Sequence, residues 1–186
     1  MEPVEIAAGK YQLRPWTAQD LDVARELVTD PLAWRWMPPP TDPPPAHRTD
    51  PEVWLSRRIG FWEEGNHASF ALMDAVTGEV YADISVQHID LSYRTADVGY
   101  WVRPHARRRG IAVHGVNAAS RWAFGALGLH RIALFHAAPN EASCAVARRA
   151  GFALEGVMRD AFPDREGVFT DEHVHARLAT DPPLPE

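Results

Sequence analysis

The run Arg103-Pro104-His105-Ala106-Arg107-Arg108-Arg109-Gly110-Ile111-Ala112 gathers four arginines and a glycine in one short stretch that contains no acid. It follows the apolar Gly99-Tyr100-Trp101-Val102 and leads into residues with helical spacing, Ala112, Val116, Ala119, Ala123 and Leu127. Strand, basic loop, glycine and helix in that order can cradle an anion. The first amides of a helix have no intrahelical acceptor, the aligned peptide dipoles add positive charge there, and a glycine lets a phosphate come close. The run is not a Walker loop, because the second glycine and the Lys-Ser/Thr pair are missing, and it lacks the GxGxxG spacing of dinucleotide folds.

The distribution of charge agrees with an anion site. No Asp or Glu occurs from Val98 to Asn140, a stretch holding Arg103, Arg107, Arg108, Arg109, Arg121 and Arg131, although the whole chain carries a net charge of -6. The rest of the chain is therefore strongly acidic, which hints at a cationic acceptor. Nucleic acid is an unsuitable partner: the total charge is negative, and the basic stretch lacks the interleaved aromatics that stack bases.

The surrounding elements follow from periodicity and punctuation. Tyr11 to Trp16 reads as a strand, and Thr17 with Asp20 as a capping box opening a helix that stops near Pro31. Seven prolines from Pro38 to Pro51 make a stiff loop without regular structure, which serves either as a lid or as a plain connector. Asp50-Pro51 then starts a helix through Glu64. His67–Asp74, Glu79–Gln87 and Arg94–Val102 read as an antiparallel meander. Beyond it come a helix from Gly110 to Leu127, a strand Arg131–Ala137, a helix Asn140–Ala150 and two strands, Phe152–Met158 and Phe169–Leu178. This order predicts an α+β fold with helices packed on a sheet, in a single domain over residues 1–180 with a proline-rich tail at 181–186.

Together these segments resemble the GNAT superfamily of N-acetyltransferases. Its acetyl-CoA motif, Gln/Arg-x-x-Gly-x-Gly/Ala, is matched by Arg107, Gly110 and Ala112. Strength comes from the company: GYWV before the motif, LGLHRI at Leu127 to Ile132, Pro139-Asn140-Glu141-Ala142-Ser143, and Arg148-Arg149-Ala150-Gly151-Phe152. Gly156, Arg159 and Asp171 stand where late family residues usually do. The pattern is similar to the Rim-type branch, the ribosomal-protein N-terminal acetyltransferases and their relatives that modify small molecules. It implies a mostly antiparallel sheet whose fourth and fifth strands splay to admit acetyl-CoA as co-substrate. It also implies that the backbone of Arg107, Arg108, Arg109, Gly110, Ile111, Ala112 and Val113 holds the pyrophosphate. Trp101 and Val102 would pair with the pantetheine like an added strand, and Asn140 would fix it from the other side. Two departures stand out: Arg108 replaces a usual glycine, and His175 a usual late tyrosine.

Acetyl transfer from a thioester to an amine needs a neutral amine, stabilisation of an oxyanion and a proton for the leaving thiolate. Family members often supply that proton from a tyrosine in the helix after the fifth strand, but Glu141–Arg149 has none. Ser143 is the candidate acid, and it equally suits an N-terminal helix cap. Asp97 is the candidate base, with Asp160 and Asp164 as rivals. A terminal α-amine, with a pKa near ~7.8, needs far less help than lysine at ~10.4, so the lack of an emphatic base favours a protein N-terminus or another low-pKa amine.

Asp171, His173 and His175 share one face of a strand, but three metal ligands from one strand would be strained, so buried hydrogen-bonded histidines and no metal are expected. Cys144 beside His136 could act as a nucleophile, yet direct transfer from a thioester needs no acyl-enzyme. The single cysteine excludes an internal disulfide framework. No signal-peptide pattern or long apolar run is present, so a cytoplasmic protein is expected, without membrane partners and compatible with a homodimer. Transfer of a larger acyl group such as succinyl, with Arg35, Arg57, Arg58 or Arg94 as its cation, and a non-catalytic acyl-CoA-binding module remain as alternatives.

Overall fold

The spine of the molecule, in a computed structural model that describes residues 1–37, 44–164 and 167–182, is one eight-stranded sheet. Its strands are β1 (Ile6–Ala8), β2 (Tyr11–Pro15), β3 (Ala68–Asp74), β4 (Val80–Asp90), β5 (Thr95–Val102), β6 (Arg131–Ala137), β7 (Ala153–Pro163) and β8 (Phe169–Leu178), in the spatial order β1-β2-β3-β4-β5-β6-β8-β7. Neighbours are antiparallel except β5 and β6, which run parallel. The expected fold class is what the chain adopts. β1 is additional to the strands read from the sequence, so the fourth and fifth strands of that reading are β5 and β6 here. Ile6-Ala7-Ala8 is three apolar residues, too short a run to show the alternation that announces a strand.

The helices are α1 (Leu21–Thr29), α2 (Pro31–Arg35), α3 (Ala46–Thr49), α4 (Pro51–Glu64), α5 (Ile111–Gly125) and α6 (Glu141–Arg149). Several boundaries have identifiable chemistry. Asp50 caps α4 by accepting from the amides of Glu52 and Val53, Pro51 fills the first position, and Gly65 ends it at φ 79°. The Asp20 carboxylate accepts from the Thr17 amide at 2.9 Å, but it closes a 3₁₀ turn ahead of α1 rather than α1 itself. Pro31 does not merely stop α1. With Asp30 as N-cap it opens α2, because proline suits the first helical position. The proline-rich segment likewise contains a regular piece, α3, placed after its last consecutive proline; the lid expectation for residues 38–43 lies outside the described residues.

Two apolar cores flank the sheet. Beneath α5 and α6, Leu13, Phe70, Ile84, Ile111, Ile132 and Phe152 are buried, and against the other face Trp16, Leu27, Trp54, Leu55 and Trp101 pack together. α5 lies unusually close to β4: a Cβ on Gly115 would fall 2.7 Å from the side chain of Ile84 and 3.0 Å from that of Leu72. A glycine in a helix interior costs stability relative to alanine, and here it permits the approach that sets the height of the α5 N-terminus over the sheet.

Candidate active site

The parallel pairing of β5 with β6 covers only Thr95–Asp97 against Arg131–Ala133. Beyond it the strands part, and β6 stays with β8 as far as Ala137. Gly99 to Val102 therefore have an open edge. The Arg103 amide donates to the Tyr81 carbonyl at 2.9 Å, which fixes the alternation of the β4–β5 ladder. By that alternation Trp101 spends its backbone on Asp83 of β4 and Val98 still meets β6 in the last parallel pair, while Tyr100 and Val102 turn theirs to the open edge. Of the two backbone positions expected to meet a pantetheine, Val102 faces the cleft and Trp101 does not.

The basic loop closes one end of this split. The first backbone bonds of α5 run from the amides of Val113 and His114 to the Gly110 carbonyl, so the amides of Arg108 to Ala112 precede the helical ladder. Gly110 is the N-cap at φ 76°, and Arg108 also sits in the left-handed region at φ 59°. That conformation explains why a glycine would suit position 108, since a Cβ there costs about 1 kcal/mol or more. The side chain of Arg107 turns inward: its Nε donates to the Val102 carbonyl at 3.0 Å and its Nη2 pairs with Asp30. Asp30, 5% exposed, also accepts from Trp101 Nε1 at 2.7 Å and, as cap of α2, from the Leu32 amide. Arg107 thus anchors the loop, and its guanidinium is not the phosphate ligand. Arg149, at the end of α6, reaches the loop from across the split, with Nη2 3.7 Å from the place of a Gly110 Cβ.

On the β6 side of the split, Asn140 caps α6, its side chain accepting from the Ser143 amide at 3.2 Å. Ser143 is buried, and the hydroxyl of Tyr100 donates to its Oγ at 2.9 Å across the gap between β5 and α6. Burial pushes the Tyr100 phenol up to about 12, which keeps it protonated at neutral pH. Tyr100 was visible in the sequence only as part of the strand before the loop. Its role depends on a contact between residues 43 apart, which no local spacing announces.

Asp97 lies where the split begins, and its Oδ2 is 2.8 Å from Nδ1 of His88. His88 lines a cleft of about 410 Å³ between α1, α4 and the end of β4. Asp97 reaches this cleft only through His88, and neither rival for the base lines it; Asp164 lines a second cleft with Arg35, Pro139 and Phe162. Asp164 caps the turn into β8 by accepting from the Val168 amide, and the Asp160 amide is held by the Asp171 carboxylate. Among the described residues the charged side chains of the His88 cleft are Arg48, Arg57 and Arg58, the last of them paired with Asp83 at 3.2 Å, with the carboxylate of Glu64; burial lowers His47, which leaves it uncharged at neutral pH. Burial, with help from Arg58, holds His67 down to about 3. Among the described residues, an anionic wall for a cationic acceptor, as the acidic composition hinted, is absent from this cleft.

Residues 10–153 match the family described as the acetyltransferase (GNAT) domain. In sequence the chain is 36% identical over 83 residues to YdaF of Bacillus subtilis (strain 168), described as a candidate ribosomal N-acetyltransferase. The match spans 45% of each protein, so the chain covers about half the length of this relative. In structure it superposes on a ribosomal-protein-S5-alanine acetyltransferase from Vibrio fischeri with a TM-score of 0.81 at 23% identity, covering 96% of this chain and 98% of that one. It superposes equally on Mycobacterium smegmatis RimJ in complex with a CoA disulfide, with a TM-score of 0.81 at 24% identity over 96% and 90% of the two chains.

Proposed function

From the premise that this chain belongs to the GNAT acetyltransferase family, we propose that it transfers the acetyl group of acetyl-CoA directly to an amine, with a protein or peptide N-terminus as the preferred acceptor. The observation that carries this reading is the open edge of β5, with the unladdered amides of Arg108 to Ala112 following it and the Tyr100–Ser143 pair crossing from it to α6. The amides suit a pyrophosphate, and the open backbone of Tyr100 with the amide of Val102 suits the amide groups of a pantetheine arm; the Val102 carbonyl already accepts from Arg107. Asn140, its side-chain oxygen given to α6 and its backbone amide to the Ala137 carbonyl, would meet that arm through Nδ2.

In the transfer, an amide on the β5 edge polarises the thioester carbonyl as the amine attacks. His88, oriented by Asp97 through Nδ1, takes the proton from the incoming amine on Nε2. The C–N bond forms as the C–S bond breaks, and Ser143 donates its proton to the departing sulfur while Tyr100 donates to Ser143. No acyl-enzyme is involved.

The cationic lining next to His88 favours an acceptor with carboxylates close to its amine, such as an acidic N-terminal segment. The same cations would also accommodate a succinyl group in place of acetyl. Thiol release, with acetyl-CoA or succinyl-CoA and peptides of matched length with acidic or basic residues after a free N-terminus, separates these. Faster turnover of acidic peptides with acetyl-CoA supports the proposal. Preference for basic peptides or polyamines contradicts the acceptor assignment, and preference for succinyl-CoA contradicts the donor assignment.

A further inference from the structure

Four side chains that acetyl transfer does not require meet beside α6. His136 comes from β6, His173 and His175 from β8, and Cys144 from the first turns of α6, with one ligand-type atom of each all within 4.8 Å of one another. Register brings the rings together. His136 lies opposite His173, so the two point to the same side of the sheet, and His175, two residues on, shares that face.

Hydrogen bonds then assign the ring protons. His136 Nδ1 is 2.9 Å from the Ala137 carbonyl oxygen, and His175 Nδ1 is 3.2 Å from that of Phe152. A carbonyl only accepts, so both Nδ1 atoms carry hydrogen, and each neutral ring keeps its lone pair on Nε2. Those two Nε2 atoms face each other at 3.2 Å. Two lone pairs at that distance repel unless a cation sits between them. A metal ion has further donors within reach. Cys144 Sγ is 4.0 Å from His175 Nε2, and His173 Nδ1 is buried with no hydrogen-bond partner among the described residues.

The spacing fits as well. Two nitrogens bound to tetrahedral zinc at ~2.0–2.1 Å stand roughly 3.3 Å apart, close to the separation of the two Nε2 atoms, and a sulfur at ~2.3 Å needs only a small closure from Cys144. Three imidazoles and a thiolate, with no carboxylate in the group, suit zinc over magnesium or calcium.

We propose that His136, Cys144, His173 and His175 form a closed tetrahedral zinc site that ties α6 to β6 and β8. On binding, the Cys144 thiol releases its proton to solvent, and Sγ, with a ring nitrogen from each histidine, donates to the ion. The carbonyls of Ala137 and Phe152 orient two of the ligands. All four positions belong to protein, so the ion is structural: it fixes the helix that carries Ser143, next to Cys144 in sequence. The one-strand trio judged too strained from the sequence is not what assembles: the Asp171 carboxylate is at the Asp160 amide, while β6 and α6 bring His136 and Cys144 to the two histidines of β8.

The test uses the full chain stripped by chelator and titrated with cobalt(II) chloride. One equivalent of cobalt should bind, with the absorption of a tetrahedral site and a thiolate-to-cobalt charge-transfer band, and an equivalent of zinc chloride should erase both. Zinc should also raise the melting temperature. Cys144→Ser should abolish the charge-transfer band, and His173→Gln should weaken cobalt binding by about ten-fold or more. Wild-type protein that takes up no cobalt, or takes it up without the charge-transfer band, would overturn the proposal whether or not the variants fold.

Discussion

Ser143 shows how one residue can hold two roles through different atoms. Its amide is taken by Asn140 in an ordinary cap, while its Oγ accepts from Tyr100 and leaves its own proton to give. Removing the hydroxyl leaves the cap, which belongs to Asn140. Ser143→Ala should therefore lower kcat by about ten-fold or more, with acetyl-CoA affinity little changed and a deficit that grows with pH as free protons become scarce. A deficit that stays flat from acid to alkaline pH in steady-state kinetics would remove Ser143 as the acid. Gly110 lends itself to a binding measurement. A Cβ there meets only Arg149, at ordinary contact distance, so the harm from Gly110→Val is backbone strain at φ 76° and obstruction of the anion rather than a clash inside the protein. Calorimetry should show acetyl-CoA binding lost, with the fold kept by circular dichroism. His67 makes a pH prediction. Its folded value of about 3 lies below that of an exposed histidine, so between about 6.5 and 3 the unfolded chain binds the extra proton and stability falls as pH is lowered. Denaturant titrations of His67→Gln should show a shallower loss over that window.

The elements that position the site were largely legible because each has a local cause. Asp50-Pro51 began a helix, Gly110 preceded one, and the strands around the loop alternated as half-buried strands do. What local rules could not supply was tertiary. Trp101 was placed on the right strand, but which edge its backbone faces depends on the Arg103–Tyr81 bond with β4. The turn of Arg107 toward Asp30 joins residues 77 apart, so the sequence marked the loop without showing that its first arginine is an internal strut. The cationic cleft was similarly hidden, because Arg57 and Arg58 on α4 meet His88 of β4 only after folding. The close seat of α5 gives this scale its own test. Gly115→Ala forces a methyl group against Ile84 and Leu72, and should cost about 1–3 kcal/mol in denaturant unfolding despite alanine's better helix propensity. A stabilised Gly115→Ala would mean that α5 can lift from the sheet freely.

At the scale of the whole molecule, the division of charge has a different meaning from the one its composition suggested. The basic stretch from Val98 to Asn140 borders the split, as expected of a phosphate site, but the cleft beside Asp97 and His88 is also lined with cations although the net charge is -6. Both substrates would then meet positive surface, with the acidic residues left elsewhere. Among the described residues no helix is long and apolar enough to cross a membrane. The split sheet, its loop and the Tyr100–Ser143 pair have one joint purpose in this account: to hold a thioester on the β5 edge while an amine approaches from the α4 side. The most direct test is transfer of isotope-labelled acetyl from acetyl-CoA to a peptide with a free N-terminus and acidic second and third residues, followed by fragmentation mass spectrometry. Label should appear on the α-amine with wild-type protein and be greatly reduced with Gly110→Val. Bound acetyl-CoA with no label on any amine of the acceptor panel would contradict it.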